Sequence, residues 1–147
     1  MGKEVTKEEY GNMVKKASPD SPIFLNCIRA FLVGGLICCI GQLITNVCNV
    51  FGLSTEDSGT YTSIILVAVA SLLTGLGLYS KLGKFAGAGS VVPITGFSNS
   101  VTAPAIEFKK EGFILGLGAK IFIVAGPVIL YGVLTSIVVG LIYYFVR

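Results

Sequence analysis

The chain has 147 residues, of which 53% are hydrophobic, and its 11 basic and 8 acidic side chains leave a net charge of +3. Charged residues make up only 13%, against about 25% in a soluble globular domain, and most of them fall in short clusters between long uncharged stretches. This balance excludes an ordinary soluble domain. With no basic run longer than two residues, it also leaves no footprint for nucleic acid.

Residues 1–20 form a polar arm in which Lys3, Lys7, Lys15 and Lys16 alternate with Glu4, Glu8, Glu9 and Asp20. A short amphipathic helix on the membrane surface is expected here, resting on Val5, Tyr10, Met13 and Val14. The apolar run that follows is too long for a cleavable leader, so the arm is expected to be retained. Ser21-Pro22 then reads as a helix cap with proline at the first helical position, opening a membrane domain over residues 21–147.

A first span is expected from about Ala30 to Phe51, with Arg29 at its entry. It is polar inside, with Gln42, Thr45, Asn46 and Asn49 on neighbouring turns. The link from Gly52 to Gly59 holds Glu56 and Asp57 and no basic residue. A second, uncharged span follows from about Thr60 to Tyr79 and ends at Lys81 and Lys84. Lysine and arginine gather on the cytoplasmic side of short loops, so the N-terminus and Lys81/Lys84 are expected there.

The next uncharged stretch, residues 85–106, is FAGAGSVVPITGFSNSVTAPAI. It is long enough to enter the bilayer but is broken by Gly87, Gly89, Pro93, Gly96 and Pro104. Irregular backbone at membrane depth is tolerated only where protein buries it or water reaches it. The segment either crosses or dips in and returns. A return keeps Lys109 and Lys110 cytoplasmic, which the positive-inside rule favours. The last stretch, Phe113 to Val146, exceeds one span. It is expected to begin at the interface and cross from about Ile121 to Tyr144, with a kink near Pro127. The fold class is therefore an all-α integral membrane protein with about three transmembrane helices and a broken or re-entrant Gly/Pro/Ser-rich segment.

The inventory argues against catalysis. There is no histidine, and Asp20 and Asp57 are the only aspartates. Serines at membrane depth lack the adjacent base that a nucleophile needs. Cys27, Cys38, Cys39 and Cys48 show no paired spacing, and the adjacent Cys38 and Cys39 diverge by about 100° on a helix, so they read as small apolar fillers. No metal or cofactor is expected.

Broken helices can instead expose backbone groups that meet solutes, as transporters do at the bilayer midplane. On that reading Ser90, Pro93, Thr95, Ser98, Asn99 and Ser100 line a pathway, joined by Gln42 and Asn46, which share a helix face. The alternative is packing, in which small residues allow close approach, hydroxyls bond the backbone, and Gln42 and Asn46 bond across helices. Lys120 reads either as a fixed cation for an anionic solute or as a side chain that snorkels to the interface. Lys109 and Lys110 form an exposed patch suited to a soluble partner.

AFLVGGLICCIGQLI (Ala30–Ile44) and FAGAGSVVPITGFSNS (Phe85–Ser100) resemble the stage V sporulation protein AC/AE family of endospore-forming Firmicutes. The polar arm before SPIFLNCIRAFLVGG and the continuation TAPAIEFKKEGFILGLG are more similar to its AC branch. The resemblance covers roughly residues 20 to 145. It implies a multi-pass protein of the forespore and spore inner membrane that moves dipicolinic acid, chelated with calcium, during sporulation and germination. It also implies an AE-type membrane paralogue and a soluble, thiolase-like AD subunit as partners, and channel-like gating by membrane tension. One chain has too few helices to enclose a pore for so bulky an anion, so an oligomer set in membrane lipid is expected. A non-conducting scaffold that recruits soluble partners is the alternative.

Overall fold

A computed structural model describes residues 6–17 and 21–146, the side chain of Lys15 excepted. Val5 and Asp20 lie outside the described residues. The elements are α1 (Lys7–Ala17), α2 (Ile23–Val50), α3 (Thr55–Gly75), α4 (Leu78–Ala86), α5 (Ala88–Val91) and α6 (Ile94–Glu107). A 3₁₀ turn (Phe108–Glu111) and a π-helical turn (Phe113–Gly118) then lead into α7 (Ala119–Val146). Three helical stretches are long and apolar enough to cross a membrane: Ile23–Val50, Thr55–Gly75 and Phe113–Val146. This is an all-α integral membrane protein with a broken membrane segment.

Local chemistry explains most helix starts. At α1 the Thr6 hydroxyl accepts from the Glu9 N–H at 3.3 Å while the Thr6 N–H donates to the Glu9 carboxylate at 3.2 Å. This reciprocal box satisfies donors that a first turn leaves free. Tyr10, Met13 and Val14 share one face of α1 and stay exposed. The start of α2 is displaced by one position from the sequence reading. Pro22 occupies the cap itself, with no side-chain bond into the first turn, and the helix begins at Ile23. Proline with φ near the helical value suits either place, having no N–H to leave unpaired. Arg29 lies in the second turn of α2, just before the span expected from Ala30.

The second span also differs from its expected limits. Ser54 caps α3 by accepting from the Asp57 N–H at 3.1 Å, so Glu56 and Asp57 belong to the first helical turn, where the helix dipole favours acids. The helix stops at Gly75, and Gly77 adopts a left-handed φ of 71°. Tyr79 therefore belongs to α4 and is buried. In the last stretch α7 runs continuously through Pro127. Gly83–Gly87 and Gly112–Gly116, which match a small-residue helix-packing spacing, act otherwise: Gly87 and Gly112 hold positive φ and end helices.

Contacts fix the directions of the helices. Between α2 and α3, Asn49 accepts from Ser58 at 2.6 Å and Thr45 meets Thr62 at 2.8 Å, while a Cβ at Gly41 would touch Leu66 at 3.5 Å. As one number falls by four the other rises by four, so the pair is antiparallel. Thus Thr45 and Asn49 are the polar residues of α2 that join it to α3. Between α3 and α6, Val67 pairs with Ser98, Ser71 with Thr102 and Gly75 with Ile106. Here the offset is a constant 31 residues, so α6 runs parallel to α3. The chain leaves α3 at one end of the bundle, turns inward through α4 and α5, and reverses at Pro93 beside Cys38, midway along α2. It then returns through α6 to the end it left. Segment α4–α6 is a broken hairpin that reaches about half the depth of the bundle.

Only Ala70, Tyr79 and Ala86 are buried hydrophobics among the described residues, while the large aliphatic and aromatic side chains cover the exterior. A water-soluble fold would invert this arrangement; a lipid-facing one requires it. The hairpin is held against α2 by close backbone approach. A Cβ on Gly89 would overlap the Ala30 carbonyl and lie 2.7 Å from its Cα, whereas one on Gly35 would meet nothing within 4 Å. Gly89→Ala is expected to destabilise the detergent-solubilised protein by about 1–3 kcal/mol, the usual cost of overpacking. Gly35→Ala should be neutral or stabilise it by up to about 1 kcal/mol through helix propensity. Thermal melts of the two variants beside the parent check this, and equal melting temperatures would remove the close-contact argument.

Candidate functional site

The broken hairpin carries most of the residues singled out from the sequence, and its polarity is concentrated where α6 meets α3. The Ser98 hydroxyl donates to the Val67 carbonyl at 2.9 Å and lies 2.9 Å from the Ser71 hydroxyl. Ser71 also meets Thr102 at 3.1 Å. One turn further, the Thr74 hydroxyl donates to the Ala70 carbonyl at 2.7 Å and lies 3.0 Å from the Asn99 side-chain oxygen, which accepts from it. This ladder of hydroxyls and one amide ties two parallel helices together. In a lipid interior each such bond contributes about 0.6 kcal/mol on average.

The descending arm is fixed differently. The buried Tyr79 hydroxyl donates to the Ser90 carbonyl at 2.7 Å. Ser90, fully buried, places its own hydroxyl 3.1 Å from the Gly87 carbonyl, to which it donates. Pro93 is extended and precedes the first turn of α6. A Cβ on Gly96 would overlap the carbonyls just before Pro93, so only glycine lets the chain reverse this tightly. The Ser100 hydroxyl, half-buried, donates to the Phe97 carbonyl at 2.8 Å.

Thr95 is the exception. It is 7% exposed and its hydroxyl has no partner among the described residues. A helical threonine normally bonds a carbonyl one turn back. Thr95 sits at the second position of α6, and the break at Pro93 takes that turn away. Its side chain instead lines an apolar crevice of about 190 Å³ with Ile37, Leu66, Ala70 and Leu82.

The other sequence-predicted residues lie elsewhere. Gln42 donates to Asn46 at 2.9 Å, and both are on the exposed surface of α2. No hydrogen bond joins them to the hairpin among the described residues. Lys109 and Lys110 are exposed on the 3₁₀ turn. The Lys120 ammonium lies 3.9 Å from the Phe108 ring centroid, and the Arg29 guanidinium 5.2 Å from that of Phe85. These cations, with Lys81 and Lys84, gather where α2 begins and α3 and α6 end. Glu56 and Asp57 stand at the opposite end of α3. Among the described residues no group of three or more His, Cys, Asp or Glu is placed to hold a metal.

Sequence reasoning missed Ser71 and Thr74 as the partners of the hairpin on α3, and Tyr79 as the brace within it. The available signal was Ser71 and Thr74, three residues apart and so on one face of an otherwise aliphatic helix.

A known family shares this pattern. The SpoVAC/SpoVAEB sporulation membrane protein model matches residues 26–142, a region that takes in α3, the broken hairpin and most of α2 and α7. The chain belongs to this family. It is also 46% identical over 137 residues to stage V sporulation protein AC of Bacillus subtilis (strain 168), covering 92% of this chain and 91% of that protein. No solved structure shows a significant match. A sporulation membrane protein is thus the setting in which the hairpin acts.

The two buried hydroxyls at the turn and in the ladder make opposite predictions. Ser98→Ala leaves the Val67 carbonyl and Ser71 short of a partner and should destabilise by about 0.6–1.7 kcal/mol. Thr95→Val keeps the shape and removes an unpartnered hydroxyl, so it should be neutral or stabilising. Denaturation of both variants in the same detergent tests the pair; a Thr95→Val loss matching that of Ser98→Ala would mean that Thr95 is bonded after all.

Proposed function

We propose that this chain is a subunit of a channel or transport complex that moves dipicolinic acid, with calcium, across the spore inner membrane during sporulation and germination. Family membership supports the sporulation setting, and the single structural observation behind a conducting role is the parallel run of α6 beside α3. In a bilayer that the three long helices cross, the α4–α6 hairpin would enter from one face, stop near the midplane and return. Such half-depth hairpins are how channels and transporters bring polar and backbone groups to the midplane without crossing.

In this reading the N-terminus and the cationic end are cytoplasmic, as the positive-inside rule prefers. Three spans and a half-hairpin are too few to surround so bulky a dicarboxylate, so the route forms between chains. The natural neighbours are an AE-type membrane paralogue and a soluble, thiolase-like AD subunit. Ser90, Thr95, Ser98, Asn99 and Ser100 then shape the wall on which the route is built, Gln42 and Asn46 present amides toward it, and Lys120 is a fixed cation near its mouth. The exposed Lys109–Lys110 turn favours a second role, docking the soluble partner.

Topology is tested first. In a cysteine-free background, Lys84→Cys and Lys110→Cys should react with a membrane-impermeant maleimide from one side, and Ser54→Cys from the other. Labelling of Lys110→Cys from the Ser54 side would mean that residues 85–106 cross.

Conduction is tested in liposomes loaded with dipicolinate, with this chain alone and with the AE-type paralogue, with and without an osmotic downshift. Because Ser98 is buried, a bulky residue there would probe folding rather than flux. Gln42→Trp, on an exposed face, is expected to lower release at least severalfold with assembly intact. Loss of assembly on reversing Lys109 and Lys110, with release absent even from intact complexes, would favour a non-conducting scaffold.

A further inference from the structure

Two clefts run end to end along the outer seam between α2 and the descending arm of the hairpin. The first, about 400 Å³, is bounded by Asn26 and Cys27 near the start of α2 and by Lys84 and Phe85 of α4. The second, about 360 Å³, continues along α2 past Gly34 and Gly35 to Cys38 and closes on Pro93 at the hairpin tip. Ala30 and Ala88 line both, so they form one furrow.

The ends of this furrow differ in chemistry. Lys84 and the Asn26 amide stand at the outer end, and Arg29 is beside them with its guanidinium over the Phe85 ring. No acid among the described residues pairs with either cation. The inner end is floored by small residues and carries almost no polar surface. From Asn26 to Cys38 the furrow follows α2 for about 18 Å, close to the ~15 Å hydrocarbon depth of one leaflet. A cationic mouth above an open, leaflet-long apolar groove suits an amphiphile with an anionic head. A water-soluble dicarboxylate would match only the mouth.

We propose that the furrow is a binding site for one anionic phospholipid. Its phosphate lies against Lys84 and Asn26, with Arg29 adding charge, and an acyl chain follows Ala30, Gly35 and Cys38 to the hairpin tip. Basic pockets between membrane helices at an anionic leaflet hold lipid headgroups in this way. The proposal rests on the membrane placement of the bundle and not on what the complex carries.

The full-length protein, purified in a neutral detergent, is exposed to phosphatidylglycerol or to phosphatidylcholine, and retained lipid is counted by native mass spectrometry. The parent should retain phosphatidylglycerol in preference to phosphatidylcholine. Lys84→Ala and Arg29→Ala should each weaken retention by about fivefold, the effect of one basic residue at an anionic surface, and Lys84→Arg should keep it. Gly35→Leu, which meets open space and removes no charge, should fill the slot and displace the lipid. The paired change Lys109→Ala and Lys110→Ala should leave retention as in the parent. The site is overturned by retention that ignores headgroup charge, by retention that survives both Lys84→Ala and Gly35→Leu, or by an equal loss when Lys109 and Lys110 are removed. Size-exclusion chromatography and a melting profile confirm that each variant is folded.

Discussion

Everything in this membrane domain depends on one constraint: polar groups at bilayer depth must find partners within protein, because lipid supplies none. The broken hairpin puts that constraint at its sharpest, since each break frees backbone donors and acceptors in the middle of the bundle. The answer is the α3–α6 ladder. Ser98 reaches both a carbonyl and a hydroxyl of α3, and Thr74 reaches Asn99, so α6 is anchored along its length to a continuous helix. The parallel direction of α6 follows from this register. A segment that starts at mid-depth and matches α3 residue for residue ends where α3 ends, and so returns to its side of entry.

Much of this architecture was legible in the sequence, for definite physical reasons. Twenty apolar residues have few alternatives to a span, and a cluster such as Gly87-Ala-Gly89 before Pro93 cannot continue one. What the sequence hid was pairing. Gln42 and Asn46 looked like the amides that would bond across helices, yet they bond each other, and Thr45 and Asn49 reach α3 instead. Spacing reports which residues share a face but not which face meets a neighbour. Tyr79 was hidden for another reason: hydropathy alone sees no boundary between Gly75 and Tyr79, whereas the left-handed turn at Gly77 starts a new helix there. The ladder residues Ser98 and Asn99 were visible as polar, but their partners Ser71 and Thr74 lie 27 and 25 positions away in a stretch that reads as plain span.

The same breaks that shape the hairpin also bound the furrow on its outer side. Gly87 lies at the mouth and Pro93 at the inner end, so the groove follows the two breaks that keep α4 and α5 short. Glycine at position 89 lets the hairpin backbone approach α2 closely enough to floor it. Stability and surface chemistry are thus coupled through a few small residues. A side chain added at Gly89 would alter both, while one added at Gly35 alters the surface alone.

The exterior carries the remaining argument. From Pro127 to Val146, α7 is exposed on every face, and its Gly132 and Gly140 meet nothing within 4 Å. Those apolar turns are content in lipid. The Gln42–Asn46 pair is not: each amide has two donor hydrogens and a carbonyl acceptor, and a single mutual bond leaves most of that capacity open on an apolar helix surface. Lipid penalises such a face, whereas water or polar groups from another chain would satisfy it. The pair lies beyond the hairpin tip toward the acidic end of α3, where the half-depth hairpin leaves α2 uncovered. A complex that brings neighbouring chains around that uncovered half satisfies the amides and encloses a polar space below the hairpin in one step, which is the arrangement a solute pathway needs.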